Sequence, residues 1–150
     1  MSFVNTAELI PASVTIDLRH RILRPEHDVS VCHYDEDNFS STFHVGIRDV
    51  SKKIIANGTF MAQAHDLFGL AKNPYRLRGM ATETGFQKQG LGRTVVVFAE
   101  KELQQRNCDL LWFNARTTAE IFYQKLGFSA DPVIFDIPTV GPHKVMYKWL

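Results

Sequence analysis

The chain has two cysteines in 150 residues, no apolar run near the length of a membrane helix and almost no net charge. Each shortage excludes something. Cys32 and Cys108 are too few for a disulfide framework and lack metal-ligand spacing, so both are read as reduced thiols. The six histidines are scattered without a His-x-x-x-His pair, and no metal is expected. Lys and Arg number 17 against 16 Asp and Glu, which gives no general reason to expect nucleic acid as a partner. The stretch from Met1 to Arg21 lacks the basic start and long apolar core of a signal peptide, and later segments fall short of the roughly 18 apolar residues of a membrane helix. A cytoplasmic protein with no membrane partner is the expectation. No internal repeat or low-complexity linker interrupts the sequence, so residues 1–150 are expected to form one domain.

What is present is an ordinary globular composition, 45% hydrophobic and 22% charged, in a chain long enough for one core. Pro11 to Leu23 reads as a helix, since proline suits a helix start and Val14, Leu18 and Ile22 recur on one face; Pro25 ends it. Ser41 to Val50 and Lys53 to His65 read as two strands of an antiparallel hairpin, and Tyr75 to Thr82 as a third. Gly79 within that third strand suggests a bulge or a close approach to the backbone. From Gly90 to Arg106 the pattern is helical, with Asn107 placed to end it in a left-handed turn. A strand from Asp109 to Ala115, a short helix from Thr117 to Leu126, a strand from Gly127 to Ile137 and a last strand from His143 to Leu150 follow. The fold class is therefore α/β: a mixed, largely antiparallel sheet with one parallel pair flanking the long helix, and helices on both faces.

The segment "FQKQGLGR", Phe86 to Arg93, joins a strand to a helix N-terminus. Such a junction exposes unpaired backbone NH groups beside the positive end of the helix dipole, and together they bind an anion. Gly90 and Gly92 would let phosphate oxygens approach, and Lys88 and Arg93 add positive charge; a simple turn is the plainer reading. The P-loop pattern fails because Arg93 and Thr94 follow Gly92, and the dinucleotide fingerprint fails because Val95 stands where its third glycine belongs.

Gln87-x-x-Gly90-x-Gly92, entering a helix after "RLRGMAT", resembles the acyl-CoA pyrophosphate loop of the GNAT superfamily of N-acyltransferases, and "AEIFYQKLGF" (Ala119 to Phe128) is similar to the family's fourth-helix motif. Together they cover roughly Tyr75 to the C-terminus. The resemblance implies acetyl-CoA as co-substrate, a primary amine of a small molecule or peptide as acceptor, and a parallel strand pair splayed apart around the pantetheine arm. It places the backbone of Met80, Ala81 and Thr82 along that arm and the pyrophosphate on Gln87, Lys88, Gln89, Gly90, Leu91, Gly92 and Arg93. Phe122 joins the cofactor set, and Tyr123 takes the position of the acid that protonates the departing thiolate, although a Phe-Tyr pair on a short helix also reads as core packing.

One position departs from the family: Arg116 stands where an Asn often bonds the pantetheine amide, and Asn114, two residues earlier on the same strand face, is the alternative for that contact, so both stay in the cofactor set. No general base is identified. Glu83, His65, Asp136 and His143 are candidates; for His65, Asp136 and His143 a surface or structurally bonded residue is the commoner reading, His143 as a cap of the Gly141-Pro142 turn, and the resemblance puts Glu83 nearer the pyrophosphate than the acetyl group. Arg76 and Arg78 alternate onto one strand face, which suits an acidic acceptor or a solvated face. A non-catalytic acyl-CoA-binding sensor is the rival function, and exposed strand edges leave a homodimer open.

Overall fold

The structure, a computed structural model, describes residues 3–150. An eight-stranded sheet runs in the order β1-β2-β3-β4-β5-β8-β6, with β7 also paired to β8. The strands are β1 (Phe3–Ile10), β2 (Phe43–Asp49), β3 (Ile54–Ala62), β4 (Pro74–Thr82), β5 (Leu110–Arg116), β6 (Ser129–Ala130), β7 (Phe135–Ile137) and β8 (Gly141–Trp149). All pairings are antiparallel except β4 with β5, which flank the long helix α2 (Leu91–Gln105) as a parallel pair.

Two parts depart from the sequence reading. The strand β1 was not anticipated, and its burial explains why: Ala7 joins the main core and Ile10 joins a separate cluster with Leu18, Ile54 and Ala81. A strand that buries residues at both parities carries no clean period-two signal. The expected strand from Gly127 to Ile137 is two short strands, broken across Asp131 to Ile134, where Pro132 can donate nothing to a ladder.

The expected helix from Pro11 is helical but irregular: a 3-10 turn (Ala12–Val14), one α turn that is α1 (Ile16–Leu18), and a π turn (Arg19–Leu23). Leu18, with Val14 and Ile22 beside it, meets Ile10, Ile54 and Ala81, so the four-residue spacing does find the sheet. The π turn closes with the Arg24 NH donating to both Arg19 and His20 carbonyls at 3.1 Å.

Arg19, 1% exposed, anchors this segment. Its Nη1 and Nη2 donate to the two carboxylate oxygens of Asp37 at 2.7 and 2.9 Å, and Nη2 also donates to Thr59 Oγ1 at 2.6 Å. Because Thr59 Oγ1 accepts there, its proton is free to go to His44 Nδ1, 2.7 Å away, and His44 Nε2 donates to the Asp37 carbonyl at 3.0 Å. A closed buried circuit thus ties the irregular residues 12–38 onto β2 and β3. Burial is what lowers the His44 pKa and keeps it neutral within that circuit.

On β4 the expected bulge is present. Asn57 pairs with Ala81 but Thr59 pairs with Arg78, so Gly79 and Met80 both oppose Gly58. Gly79 has φ +67°, and a Cβ there would lie 3.0 Å from Arg19 Nε and 3.3 Å from Tyr34 Oη, so conformation and packing both require glycine. The helix α2 buries Leu91, Val95, Val96, Ala99 and Leu103 against the sheet, and Asn107, φ +60°, ends it as expected.

Where β4 ends, the buried Glu83 carboxylate receives Arg21 Nη2 at 2.8 Å and Lys53 Nζ at 3.0 Å. The Arg21 hydrogen bonds, against the opposing effect of burial, push Glu83 down to about 2. A depressed carboxylate contributes stability that is complete above its unfolded value near 4.5 and is lost as pH falls through the folded one. Glu83→Gln should therefore destabilise the fold by about 2 kcal/mol at pH 7, after allowing for water around the half-exposed Arg21 and Lys53, with the difference shrinking between about pH 4.5 and 2. Urea melts of both proteins across that range check it; a pH-independent difference contradicts it.

Candidate active site

Pairing between β4 and β5 covers three positions, Pro74 with Leu110, Tyr75 with Leu111 and Arg76 with Trp112. Beyond them β4 runs on to Thr82 and β5 to Arg116 without meeting, while β3 holds the outer side of one strand and β8 the outer side of the other. The edge of β4 that faces the gap is left without a strand partner. A cavity of about 480 Å³ fills this gap, lined on β4 by Arg76 to Met80 and on β5 by Phe113 to Arg116.

The cavity reaches both faces of the sheet. On the α2 face lies Tyr123, carried by the short helix α3 (Glu120–Lys125). Gly127, φ +96°, reverses the chain after α3, and the Phe128 NH returns to the Tyr123 carbonyl at 3.1 Å. This is what the Leu-Gly-Phe sequence does: it folds Phe128 back beside the Tyr123 ring at a centroid distance of 6.0 Å, with Phe113 at 4.4 Å and Phe122 at 4.9 Å. No described residue hydrogen-bonds the Tyr123 hydroxyl. Burial alone raises its pKa, so the phenol stays protonated well past neutral pH.

On the opposite face the lining is cationic. Arg76 lies over the Trp112 ring at 5.0 Å, and Arg78 and Arg19 each lie 3.9 Å from the Tyr34 centroid. Arg24, His27 and Cys32 complete this wall from residues 19–34, and His143 on β8 closes the end. His27 Nε2 lies 3.3 Å from Thr139 Oγ1, bringing the N-terminal wall against the turn before β8. The sequence reading assigned none of residues 19–34 to the site. The basic run "RHRILRPEH" (Arg19 to His27) was their available signal, though nothing in it shows which cations turn inward.

Among the candidate bases, His143 alone lines this cavity. Its Nδ1 lies 2.7 Å from the Gly141 carbonyl, which can only accept, so the neutral ring holds its proton on Nδ1 and leaves Nε2 as a lone pair. That contact caps the turn at Gly141, and the same side chain lines the cavity. His65 packs against Trp112 and Phe68 and lines a separate cavity, Asp136 is exposed, and Glu83 is held by Arg21 and Lys53.

The glycine loop lies past the far end of β4. Gly90, φ +82°, precedes α2, whose first turn has neither a capping side chain nor an acidic residue. Gln87 Nε2 donates to the Thr82 carbonyl at 3.1 Å and Gln89 Nε2 to Gly85 at 3.3 Å, so both glutamines brace the loop; Lys88 and Arg93 are exposed. The side chains of Leu91 and Ala81 are buried, which leaves only their backbone to meet a ligand; Met80 is part-buried, and Asn114 and Arg116 line the gap. Gly92 has a use that the sequence did not show: a Cβ there would lie 3.2 Å from Phe122 Cζ, so its bareness seats α3 against the start of α2.

The description "Acetyltransferase (GNAT) domain" matches residues 40–130. The chain belongs to the GNAT acetyltransferase family. It is 40% identical over 136 residues to the uncharacterized N-acetyltransferase YitI of Bacillus subtilis (strain 168), covering 91% of this chain and 90% of that one. Its fold is that of Escherichia coli ElaA (TM-score 0.73, 14% identity, 95% of this chain and 97% of that). It is equally that of an aminoglycoside 6'-N-acetyltransferase complexed with coenzyme A (TM-score 0.74, 14% identity, 95% and 96%). The protein is thus an acyl-CoA-dependent N-acyltransferase with acetyl-CoA as co-substrate. Among the described residues no helix is long and apolar enough to cross a membrane.

The Gly92 packing leads to a test that separates its two uses. Gly92→Val should unseat Phe122 and the helix carrying Tyr123, weakening acetyl-CoA binding by about 2 kcal/mol, with partial relief on adding Phe122→Ala. Calorimetry on the two variants decides: no relief would mean that the new side chain obstructs the ligand itself.

Proposed function

We propose that this protein transfers the acetyl group of acetyl-CoA to a primary amine of a small molecule or peptide, in the gap between β4 and β5. One observation carries the reading: an unpaired strand edge leads from a cavity holding Tyr123 and His143 towards an uncapped helix N-terminus. The backbone of Met80, Ala81 and Thr82 would pair with the pantetheine amides, and the loop from Gln87 to Arg93 with the backbone start of α2 would hold the pyrophosphate. Asn114 and Arg116 offer further polar contacts from β5.

In this reading acetyl-CoA supplies a thioester whose C–S bond breaks as the amine nitrogen bonds the carbonyl carbon. An amine arrives as an ammonium, and the His143 Nε2 lone pair takes its proton. The backbone near Met80, freed by the bulge, offers an NH to the carbonyl oxygen as it gains charge. Tyr123 donates its hydroxyl proton to the departing sulfur. Burial makes a free tyrosinate costly, so that donation is concerted with C–S cleavage; the second proton, which the nitrogen sheds as it becomes an amide, passes to solvent, and solvent reprotonates the phenol.

Tyr123→Phe keeps the ring among Phe113, Phe122 and Phe128 and removes only the hydroxyl. Its kcat should fall by at least about tenfold, with acetyl-CoA affinity and Tm nearly unchanged. Turnover at the parent rate, with chemistry limiting, would reduce the tyrosine to packing.

His143→Gln should lower kcat by about 10²-fold with acetyl-CoA affinity retained. Steady-state kinetics with the best amine from a screening panel measures it, and an unchanged kcat would remove His143 from the chemistry.

A further inference from the structure

We infer that the acceptor amine carries a carboxylate, held by the guanidinium groups of Arg76 and Arg78 on β4. This deepens the acetyl-transfer reading above and rests on it.

The cavity lining includes five arginines and two histidines, and no aspartate or glutamate. One arginine is already spent: Arg19 is neutralised by Asp37 and donates also to the Cys32 carbonyl at 2.8 Å. Arg76 and Arg78 are different. They project from alternate positions of one strand, on the face of Trp112, and among the described residues neither has a carboxylate partner within ion-pair distance. Each is held instead by an aromatic face, Trp112 under Arg76 and Tyr34 under Arg78. A guanidinium held over an aromatic face is positioned without being neutralised, so its NH groups can still receive a carboxylate.

The Arg76 Nε is buried with no hydrogen-bond partner. Burial first, then the like charge of Arg78, pushes this guanidinium down to about 10; Tyr34 and Glu36 act the other way without offsetting them. Two adjacent, partly desolvated cations are unfavourable until an anion reaches them. Their place also argues against a phosphate of CoA as that anion. Arg76 stands where β4–β5 pairing stops, at the closed end of the gap, whereas the start of α2 lies beyond Thr82 at the open end. An acid anchored at Arg76 and Arg78 leaves the amine to lie along the gap towards Tyr123, with His143 lining the same cavity.

The test uses product-side ligands and needs no turnover. CoA-loaded protein is titrated calorimetrically with the N-acetyl derivatives of the twenty standard amino acids and with the matching carboxamides. At least one acid should bind tenfold or more tighter than its carboxamide. Arg76→Gln and Arg78→Gln should each erase that preference, and Arg78→Lys, which keeps the charge and serves as the fold control, should keep part of it. Equal binding of acid and carboxamide throughout, no binding of any acid, or variants that weaken CoA itself would each overturn the inference. If acids bind in an arginine-dependent way but no free amino acid is acetylated, the transfer reading fails and the anion site stands.

Discussion

Hydrogen bonding between two neighbouring strands stops at Arg76 and Trp112, and the rest of the site depends on that stop. Each strand is secured on its outer side, β4 by β3 and β5 by β8, so neither can swing across to close the gap. The Gly79 bulge and the buried α2 face hold the divergence open. An exposed row of backbone groups inside a partly buried cavity is unfavourable unless something pairs with it, and an extended ligand rich in amides meets that need.

The two mouths of the gap differ in chemistry because different parts of the chain build them. Towards α2, an aromatic cluster surrounds one phenol and keeps it neutral. Towards residues 19–34, aromatic faces carry arginines that no acid neutralises. In the reading proposed here the division suits the two substrates: a thioester whose thiolate leaves beside the phenol, and an acceptor anchored by its carboxylate. The buried circuit of Arg19, Asp37, Thr59 and His44 is what keeps the cationic wall in place, since residues 12–38 contain little regular structure to do so.

Much of the second half was legible because its signals are local. The strand carrying Gly79, the glycine loop, the long helix and the Leu-Gly-Phe turn each announce themselves within about ten residues. The splay itself came from resemblance to the family, since no periodicity reports that two strands fail to pair. The first half was legible only as a helix and a hairpin. Its cavity wall is made of a π turn, a short 3-10 turn and the irregular chain around them, and its decisive pair, Arg19 with Asp37, joins residues 18 apart across that chain. Gly92 shows the same limit at one residue: its loop context suggested a phosphate, while the ring it makes room for, Phe122, belongs to another helix.

Amide hydrogen exchange across β4, with and without saturating acetyl-CoA, tests the gap most directly. Binding along the open edge predicts added protection at gap-facing amides between Leu77 and Thr82 and at the first turn of α2, with β2 and β3 unchanged. Protection absent from β4, or concentrated around His65, Val133 and Phe135 at the second cavity, would contradict it.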